Sequence, residues 1–164
     1  IREHINKPTV KRTKADLEKV GRLDIRQRKL TDVSALEKLT QLKALILETN
    51  NLTDVKGLEN LTQLKLLWIG RNQLTDVKGL EKLTQLKSLY LHSNQLTHVK
   101  GLEKLTQLNT LNLGGNPLTD VKGLEKLTKL TRLGLDENPA LTKAQIAELQ
   151  KALPKCKIIH RYVK

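Results

Sequence analysis

The sequence contains no phenylalanine and no methionine, and its aromatic residues are one Trp and two Tyr, 2% of 164 residues. Any core must therefore be filled by Leu, Ile and Val. A single cysteine, Cys156, excludes an intrachain disulfide and any metal site built from several cysteines. No apolar run approaches the roughly 18 residues that cross a bilayer as a helix, and no secretory leader pattern is present. Methionine is missing even at position 1, which is expected of a processed chain or of a portion cut from a longer one.

Acidic residues are scarce relative to basic ones, giving a formal net charge of +13. Such a balance ordinarily points to nucleic acid or an anionic surface, so its distribution along the chain decides the reading. Residues 1–30 carry ten Lys/Arg against four Asp/Glu, and residues 143–164 carry six against one. The middle, 31–142, carries fourteen against twelve and is nearly balanced. Within it Lys56, Lys78, Lys100 and Lys122 each precede a glutamate by three residues, at Glu59, Glu81, Glu103 and Glu125. These are expected to be solvated Lys–Glu rows that serve solubility, each pair contributing at most a few tenths of a kcal/mol.

What the chain has in abundance is a 22-residue repeat. Asn50, Asn72, Asn94, Asn116 and Asn138 fall at one position of successive copies. Each copy reads Leu-x-x-Leu-x-Leu-x-x-Asn-x-Leu, as in Leu86, Leu89, Leu91, Asn94 and Leu96, followed by Val99, Leu102 and Leu105. Full copies run over Leu42–Gln63, Leu64–Gln85, Leu86–Gln107 and Leu108–Lys129, with a degenerate first copy from Val20 and a modified last one from Leu130. A unit of this size cannot bury its apolar face alone, so copies must stack and share one core distributed along the array.

The unit can be built from its residues. Alternation around Leu89-Tyr90-Leu91 predicts a short strand with Leu89 and Leu91 inward and Ser88, Tyr90 and His92 outward. Equivalent strands are expected near Leu23–Arg26, Leu45–Glu48, Leu67–Gly70, Leu111–Gly114 and Leu133–Asp136. Stacking puts them in a parallel sheet about 4.8 Å apart, with side chains of one repeat position in columns. The Asn ending each strand turns the chain inward, and its amide can satisfy backbone groups of the turn and of the adjacent coil. Arg28 stands where the first copy should have its Asn, so the ladder is expected to be incomplete there. The return limb carries an apolar residue every three positions, which suits 3₁₀ or extended turns better than an α-helix. Gly57, Gly79, Gly101 and Gly123 sit on that limb, but the first copy has Ala35 there, so close packing is expected to require glycine rather than a positive φ.

Both ends need covers. Thr13-Lys-Ala-Asp16 predicts the start of a short helix to about Val20, and Ile1 to about Lys7 a further helical turn before Pro8. Thr142-Lys-Ala-Gln145 predicts a C-terminal helix bearing Ile146, Leu149 and Leu153 and ending near Pro154, followed by a last strand within Lys155–Tyr162. Cys156 and Ile158 take the places of repeat leucines, which assigns Cys156 to the core. Lys157, Arg161 and Lys164 would discourage edge pairing of that last strand. The expected organisation is a cap over 1–19, repeats over 20–141 and a cap over 142–164, forming one structural domain.

The segment Leu-Thr-Asp-Val-Lys-Gly-Leu-Glu-Lys-Leu-Thr-Gln-Leu at Leu74–Leu86 resembles bacterial leucine-rich repeats of the 22-residue, internalin-like class. Asn138-Pro-Ala-Leu-Thr-Lys-Ala-Gln-Ile146 likewise resembles the terminal cap of bacterial members. The resemblance implies a right-handed α/β solenoid with a concave parallel sheet, a 3₁₀ or turn-rich convex side and helical caps at both ends. It also implies that the concave sheet binds another macromolecule, usually a protein.

With the framework subtracted, three outward columns remain. The central one runs Asp24, Ile46, Trp68, Tyr90, Asn112, Gly134; the one before it Arg22, Ala44, Leu66, Ser88, Thr110, Arg132; the one after it Arg26, Glu48, Gly70, His92, Gly114, Asp136. The only Trp and one Tyr stand side by side, with Ile46, Leu66 and Arg71 adjoining. Trp, Tyr and Arg are the residue types most enriched in binding hot spots, and an apolar centre with a polar rim is the anatomy of a protein interface. Trp68, Tyr90, Ile46, Leu66, Arg71, His92, Glu48, Asn112 and Arg26 are therefore the candidate binding residues. The competing readings are that these side chains merely cover the sheet, and that the copies are a consensus-like scaffold without an evolved ligand.

Catalytic signals are weak. His4, His92, His98 and His160 have no metal-ligand spacing, His92 and His98 are expected on different faces, and Gly114-Gly115 belongs to the repeat turn. The expectation is a non-catalytic, monomeric module without cofactor, binding an unidentified protein. Nucleic acid is not the expected partner, and an extracytoplasmic or secreted setting is favoured over a cytoplasmic one. Attachment to an anionic polymer or membrane surface through the basic ends stands as the alternative.

Overall fold

The structure is a computed structural model and describes residues 20–161. The N-terminal cap expected over 1–19, with His4 and the helix start at Thr13–Asp16, lies outside the described residues, as do Tyr162 and Lys164.

Seven strands form one parallel sheet in sequence order: β1 (Arg22–Asp24), β2 (Ala44–Ile46), β3 (Leu66–Trp68), β4 (Ser88–Tyr90), β5 (Thr110–Asn112), β6 (Arg132–Gly134) and β7 (Lys157–Ile159). Each strand pairs with the next at an offset of 22 residues as far as β6, for example Leu67 with Leu89 and Trp68 with Tyr90. The strands begin one residue earlier and are shorter than the alternation predicted. Backbone hydrogen bonds nonetheless continue past both ends, from Lys65 N–H to the Lys43 carbonyl and from Arg71 N–H to the His92 carbonyl.

Leucine fills the interior as the composition required. Leu86, Leu89, Leu91, Leu96, Val99, Leu102 and Leu105 of one copy all lie in the continuous core, at 1% exposure or less. Return limbs form 3₁₀ helices at Ser34–Lys38, Leu80–Lys82, Leu102–Lys104 and Leu124–Lys126. The last limb is replaced by α1 (Lys143–Ala152), which opens with a capping box between Thr142 and Gln145 and buries Ile146 and Leu149. Cys156 is buried in the core, and burial pushes its thiol pKa up.

The asparagines make an inter-copy ladder. Asn72 Nδ2 donates to the carbonyls of Leu47, Ile69 and Gly70 at 3.0–3.1 Å, while its Oδ1 accepts from Leu52 N–H at 3.0 Å. Asn94, Asn116 and Asn138 repeat the pattern one copy further each time. In the first copy, where Arg28 replaces the Asn, Asn50 still reaches down to accept from the N–H groups of Arg28 and Leu30. The rung missing there is the one the first copy would extend outward.

Two expectations about the return limb are corrected. Gly57, Gly79, Gly101 and Gly123 all have φ between +93° and +106°, and at Gly79 and Gly101 an added Cβ would meet nothing nearer than 3.8 Å. Backbone conformation, not packing, therefore requires glycine at those two positions. Close packing adds to it at Gly57, where a Cβ would meet Ser34 Cα at 2.5 Å. Ala35 misled because it lies inside the five-residue 3₁₀ helix of the first copy, which winds differently at that position.

The second correction concerns the glutamates. Instead of forming the expected Lys–Glu rows, Glu59, Glu81, Glu103 and Glu125 turn back and accept the N–H of Gly57, Gly79, Gly101 and Gly123 at 2.6–2.7 Å. Asp54, Asp76 and Asp120 similarly accept the N–H two residues on, which His98 has no carboxylate to do. Bonds from their own backbone N–H first, and from the glycine N–H, hold the Glu59, Glu81 and Glu103 carboxyls below the ordinary range. A depressed folded pKa stabilises the fold above the ordinary glutamate value of about 4.3, and that contribution is lost as pH falls through the lower folded value. Thermal melts should accordingly show wild type losing stability between about pH 6 and pH 3, and a Glu81→Gln/Glu103→Gln variant losing less over the same interval.

Candidate functional site

The outward columns lie on the sheet face as the alternation required, and their side chains organise around the aromatic pair. The Trp68 and Tyr90 rings stack with centroids 4.9 Å apart and planes inclined by 29°. Register puts them there, because Trp68 and Tyr90 are direct partners in the β3–β4 ladder. Offset stacking of this kind adds roughly 0.5–1.5 kcal/mol beyond area burial and fixes both rings.

The far side of Trp68 is met by Arg26, whose guanidinium carbon lies 5.8 Å from the ring centroid. Asp24 holds that guanidinium through two bonds, Nε to Oδ1 at 2.9 Å and Nη2 to Oδ2 at 2.8 Å, and this bonding raises the Arg26 pKa. Arg26 stands two copies before Trp68, so its side chain spans the β2 strand between them. Ile46 lies in that gap and is only 2% exposed, which corrects its assignment as an exposed contact residue. It supports the face from beneath, whereas Leu66 in the flanking column remains half-buried.

A second bridge crosses a missing side chain. His92 lies over Gly70, where a Cβ would collide with the imidazole, and its Nε2 comes within 3.4 Å of Glu48 Oε1 two copies away. The pair is ionic when the imidazole is protonated. Arg71 is exposed at the rim and has φ +55°. Gln27, Thr49, Ser93 and Glu137 share that left-handed conformation at the same repeat position, and Gly115 provides the glycine there.

Asn112 lies beyond Tyr90 and turns away from it. Its Oδ1 accepts from Gly114 N–H at 3.0 Å, and a Cβ built on Gly134 would meet that oxygen at 2.8 Å. The face is thus divided into a ridge from Arg26 to Tyr90 and, beyond it, the glycines Gly114 and Gly134 with Asn112 and Asp136 packed against them. Buried side-chain nitrogens without a hydrogen-bond partner among the described residues are Trp68 Nε1 and His92 Nδ1, and both belong to this ridge.

Asp24, Gly70 and Gly134 were not singled out as site residues. The signal for the glycines was available: a glycine within a strand commonly marks a place where another group approaches closely. Among the described residues no three His, Cys, Asp or Glu are grouped to hold a metal ion, and no helix is long and apolar enough to cross a membrane. His98 is exposed on the return limb, away from His92.

Comparison with known proteins agrees with the fold. A family model described as leucine-rich repeats, two copies, matches residues 62–104 and 106–151. The functional domain of InlJ from Listeria monocytogenes superposes with a TM-score of 0.82 at 28% identity, covering 92% of this chain and 32% of that one. Internalin inlF of the same species gives 0.73 at 26% identity, covering 98% of this chain and 53% of that one. Internalin C2 gives 0.67 at 26% identity, over 93% and 76%. This chain therefore spans about a third of the InlJ domain and half of inlF. The cysteine ladder named for InlJ has no counterpart here, where Cys156 is the only cysteine. No curated protein sequence matches the chain significantly.

Proposed function

Because the chain belongs to the leucine-rich repeat family, we propose that it is a non-catalytic module that binds a partner protein on its concave sheet, centred on Trp68 and Tyr90. The observation that carries this reading is the Trp68–Tyr90 stack, braced by Arg26, on a face whose residues vary from copy to copy while the framework repeats.

The variation of the outward columns from copy to copy weighs against a mere consensus scaffold, and the nearly balanced middle of the chain weighs against polyanion attachment as its main role. Capture of interacting proteins with wild type, a Trp68→Ala/Tyr90→Ala double variant and a Lys100→Ala control tests the proposal. A partner retained by wild type and the control but lost by the double variant is expected. Equal recovery by all three would overturn it, and so would recovery that collapses between about 50 and 200 mM salt, the signature of phosphate-driven attachment.

A further inference from the structure

Charge in the repeats is balanced in number but not in place. The segments that lead from each return limb into the next strand, residues 38–43, 60–65, 82–87, 104–109 and 126–131, hold eight lysines and no Asp, Glu or aromatic residue. They make one flank of the solenoid, because their backbones bond copy to copy. Lys65 N–H donates to the Lys43 carbonyl at 2.9 Å and Lys87 N–H to the Lys65 carbonyl at 2.8 Å, and the series continues through Asn109 and Thr131. Lys43, Lys65 and Lys87 are therefore an exposed row with a step of about 4.8 Å, and exposed Lys129 carries the charge on toward the last copies.

The carboxylates of the described residues lie elsewhere. Asp24 is held by Arg26 on the central column. Glu48, Asp136 and Glu137 stand at the opposite ends of the strands, five or six residues past the row in their copies. At roughly 3.3 Å per residue that is about 16 Å or more, twice the screening length of about 8 Å at 0.15 M salt. Asp32, Asp54, Asp76 and Asp120 open the return limbs and accept the backbone N–H two residues on, and Glu148 of α1 lines one groove with Asp120 and Glu125. The limb glutamates come nearest, directly before Lys38, Lys82, Lys104 and Lys126, so those four charges are matched locally. Lys43, Lys65, Lys87 and Lys129 form no ion pair with another described residue.

An evenly spaced row of cations suits an extended polyanion laid across the strands, and the rest of the flank narrows its chemistry. Single-stranded nucleic acids are held by aromatic platforms, and the flank has none. An acidic peptide would add as a strand, but the backbone groups along the row are already spent between copies. The leucines of these segments are buried, which leaves no apolar group to enter a bilayer. What each full copy does present beside its lysine is a threonine hydroxyl and a second polar side chain, as at Thr62 and Gln63 or Thr84 and Gln85. Lysine only donates, whereas these groups donate and accept, and the bond from Lys129 Nζ to Gln107 Oε1 at 2.6 Å shows that this column reaches from copy to copy. The matching polymer bears hydroxyls as well as anions.

We propose that this flank binds an acidic polysaccharide, whose sulfate or carboxylate groups meet the Lys43, Lys65 and Lys87 row and whose hydroxyls meet the Thr and Gln columns. The site is separate from the concave face and from the basic ends of the chain.

The full chain is titrated at about 150 mM salt with labelled heparin as the sulfated probe, alginate as the carboxylated one and dextran as the neutral one. Two triple variants remove the same charge from different places: Lys43→Gln/Lys65→Gln/Lys87→Gln from the flank, and Lys78→Gln/Lys100→Gln/Lys122→Gln from the convex limbs. Circular dichroism and thermal melts check that both fold. The flank variant should bind at least one acidic polymer tenfold or more weakly, the limb variant within twofold of wild type, and Trp68→Ala/Tyr90→Ala as wild type does. Which polymer responds tells sulfate from carboxylate recognition. In wild type, acetylation read by mass spectrometry should fall at Lys43, Lys65 and Lys87 when the polymer is bound and persist at Lys78, Lys100 and Lys122.

Equal losses in the two triple variants would mean attraction to net charge or to the basic ends, and would overturn the proposal. So would the absence of saturable binding to either acidic polymer, equal binding of dextran, or protection confined to other lysines. An oligothymidylate of about 20 nucleotides, or phosphatidylserine vesicles, that bind as tightly through the same row and displace the polysaccharide would reassign the flank to nucleic acid or membrane.

Discussion

Replacing Asn94 by Ala should destabilise the protein by about 3 kcal/mol, while Lys100→Ala should stay within about 0.5 kcal/mol. Asn94 is 7% exposed and sits in the middle of the array. Its Oδ1 is the acceptor for Leu74 N–H at 3.0 Å, and its Nδ2 donates to the carbonyls of Ile69 and Leu91 at 3.2 and 3.0 Å. Those carbonyls keep a second bond from Asn72 and Asn116, so the group truly orphaned by the substitution is Leu74 N–H. One buried unpaired donor costs about 1–3 kcal/mol, and the lost bonds and the cavity add to it. Asn94→Asp should be no better. It keeps an acceptor for Leu74 but aims carboxylate oxygens at two carbonyls and buries charge. Denaturant midpoints compared at equal slope decide this, and coincident midpoints for Asn94→Ala and Lys100→Ala would refute the ladder's role in stability.

The second large effect separates two glycines that sequence alone treats as equivalent. Gly57→Ala should cost about 3 kcal/mol and Gly79→Ala about 1–2 kcal/mol. Both positions have positive φ, +93° and +106°, which imposes the same kind of backbone penalty on any L side chain. Only Gly57 adds a collision, with Ser34 Cα at 2.5 Å and the Ser34 carbonyl oxygen at 3.0 Å, and backbone atoms cannot swing aside as a side chain can. Chemical denaturation of the two variants side by side measures the difference. Equal losses would mean that the first copy yields to accommodate the methyl group.

Much of the architecture was legible because the forces behind it repeat. A 22-residue period fixes which leucines share a core, and the pairing offset in the sheet follows from it. The asparagines were legible because a buried amide at a strand end has one economical use, bonding the backbone on both sides. Depth was not legible. Alternation assigned Ile46 to the outer face correctly, but the Arg26 side chain spanning β2 toward Trp68 accompanies its burial, and such reach depends on rotamers that a pattern does not encode. The glutamates were misread for a related reason. Three-residue spacing offered each a lysine in water, whereas the fold offers a fixed glycine N–H at 2.6–2.7 Å, and a charge-assisted bond to fixed backbone outweighs a solvated pair. Within the candidate site, the aromatic centre could be read from composition and register. The close approach of His92 to Gly70 and of Asn112 to Gly134 could not, because an absent side chain acquires meaning only from what leans over it.

Trp68 is the only tryptophan in the chain, so 5-fluorotryptophan places one ¹⁹F reporter at the centre of the claimed interface. The measurement is its resonance during titration with a captured partner, with Lys100→Ala as a control that should behave as wild type. The account predicts a saturable shift of that single resonance that tracks the fraction bound and is lost when Tyr90→Ala abolishes binding. A partner bound to saturation with the Trp68 resonance unmoved would place the interface elsewhere and contradict it.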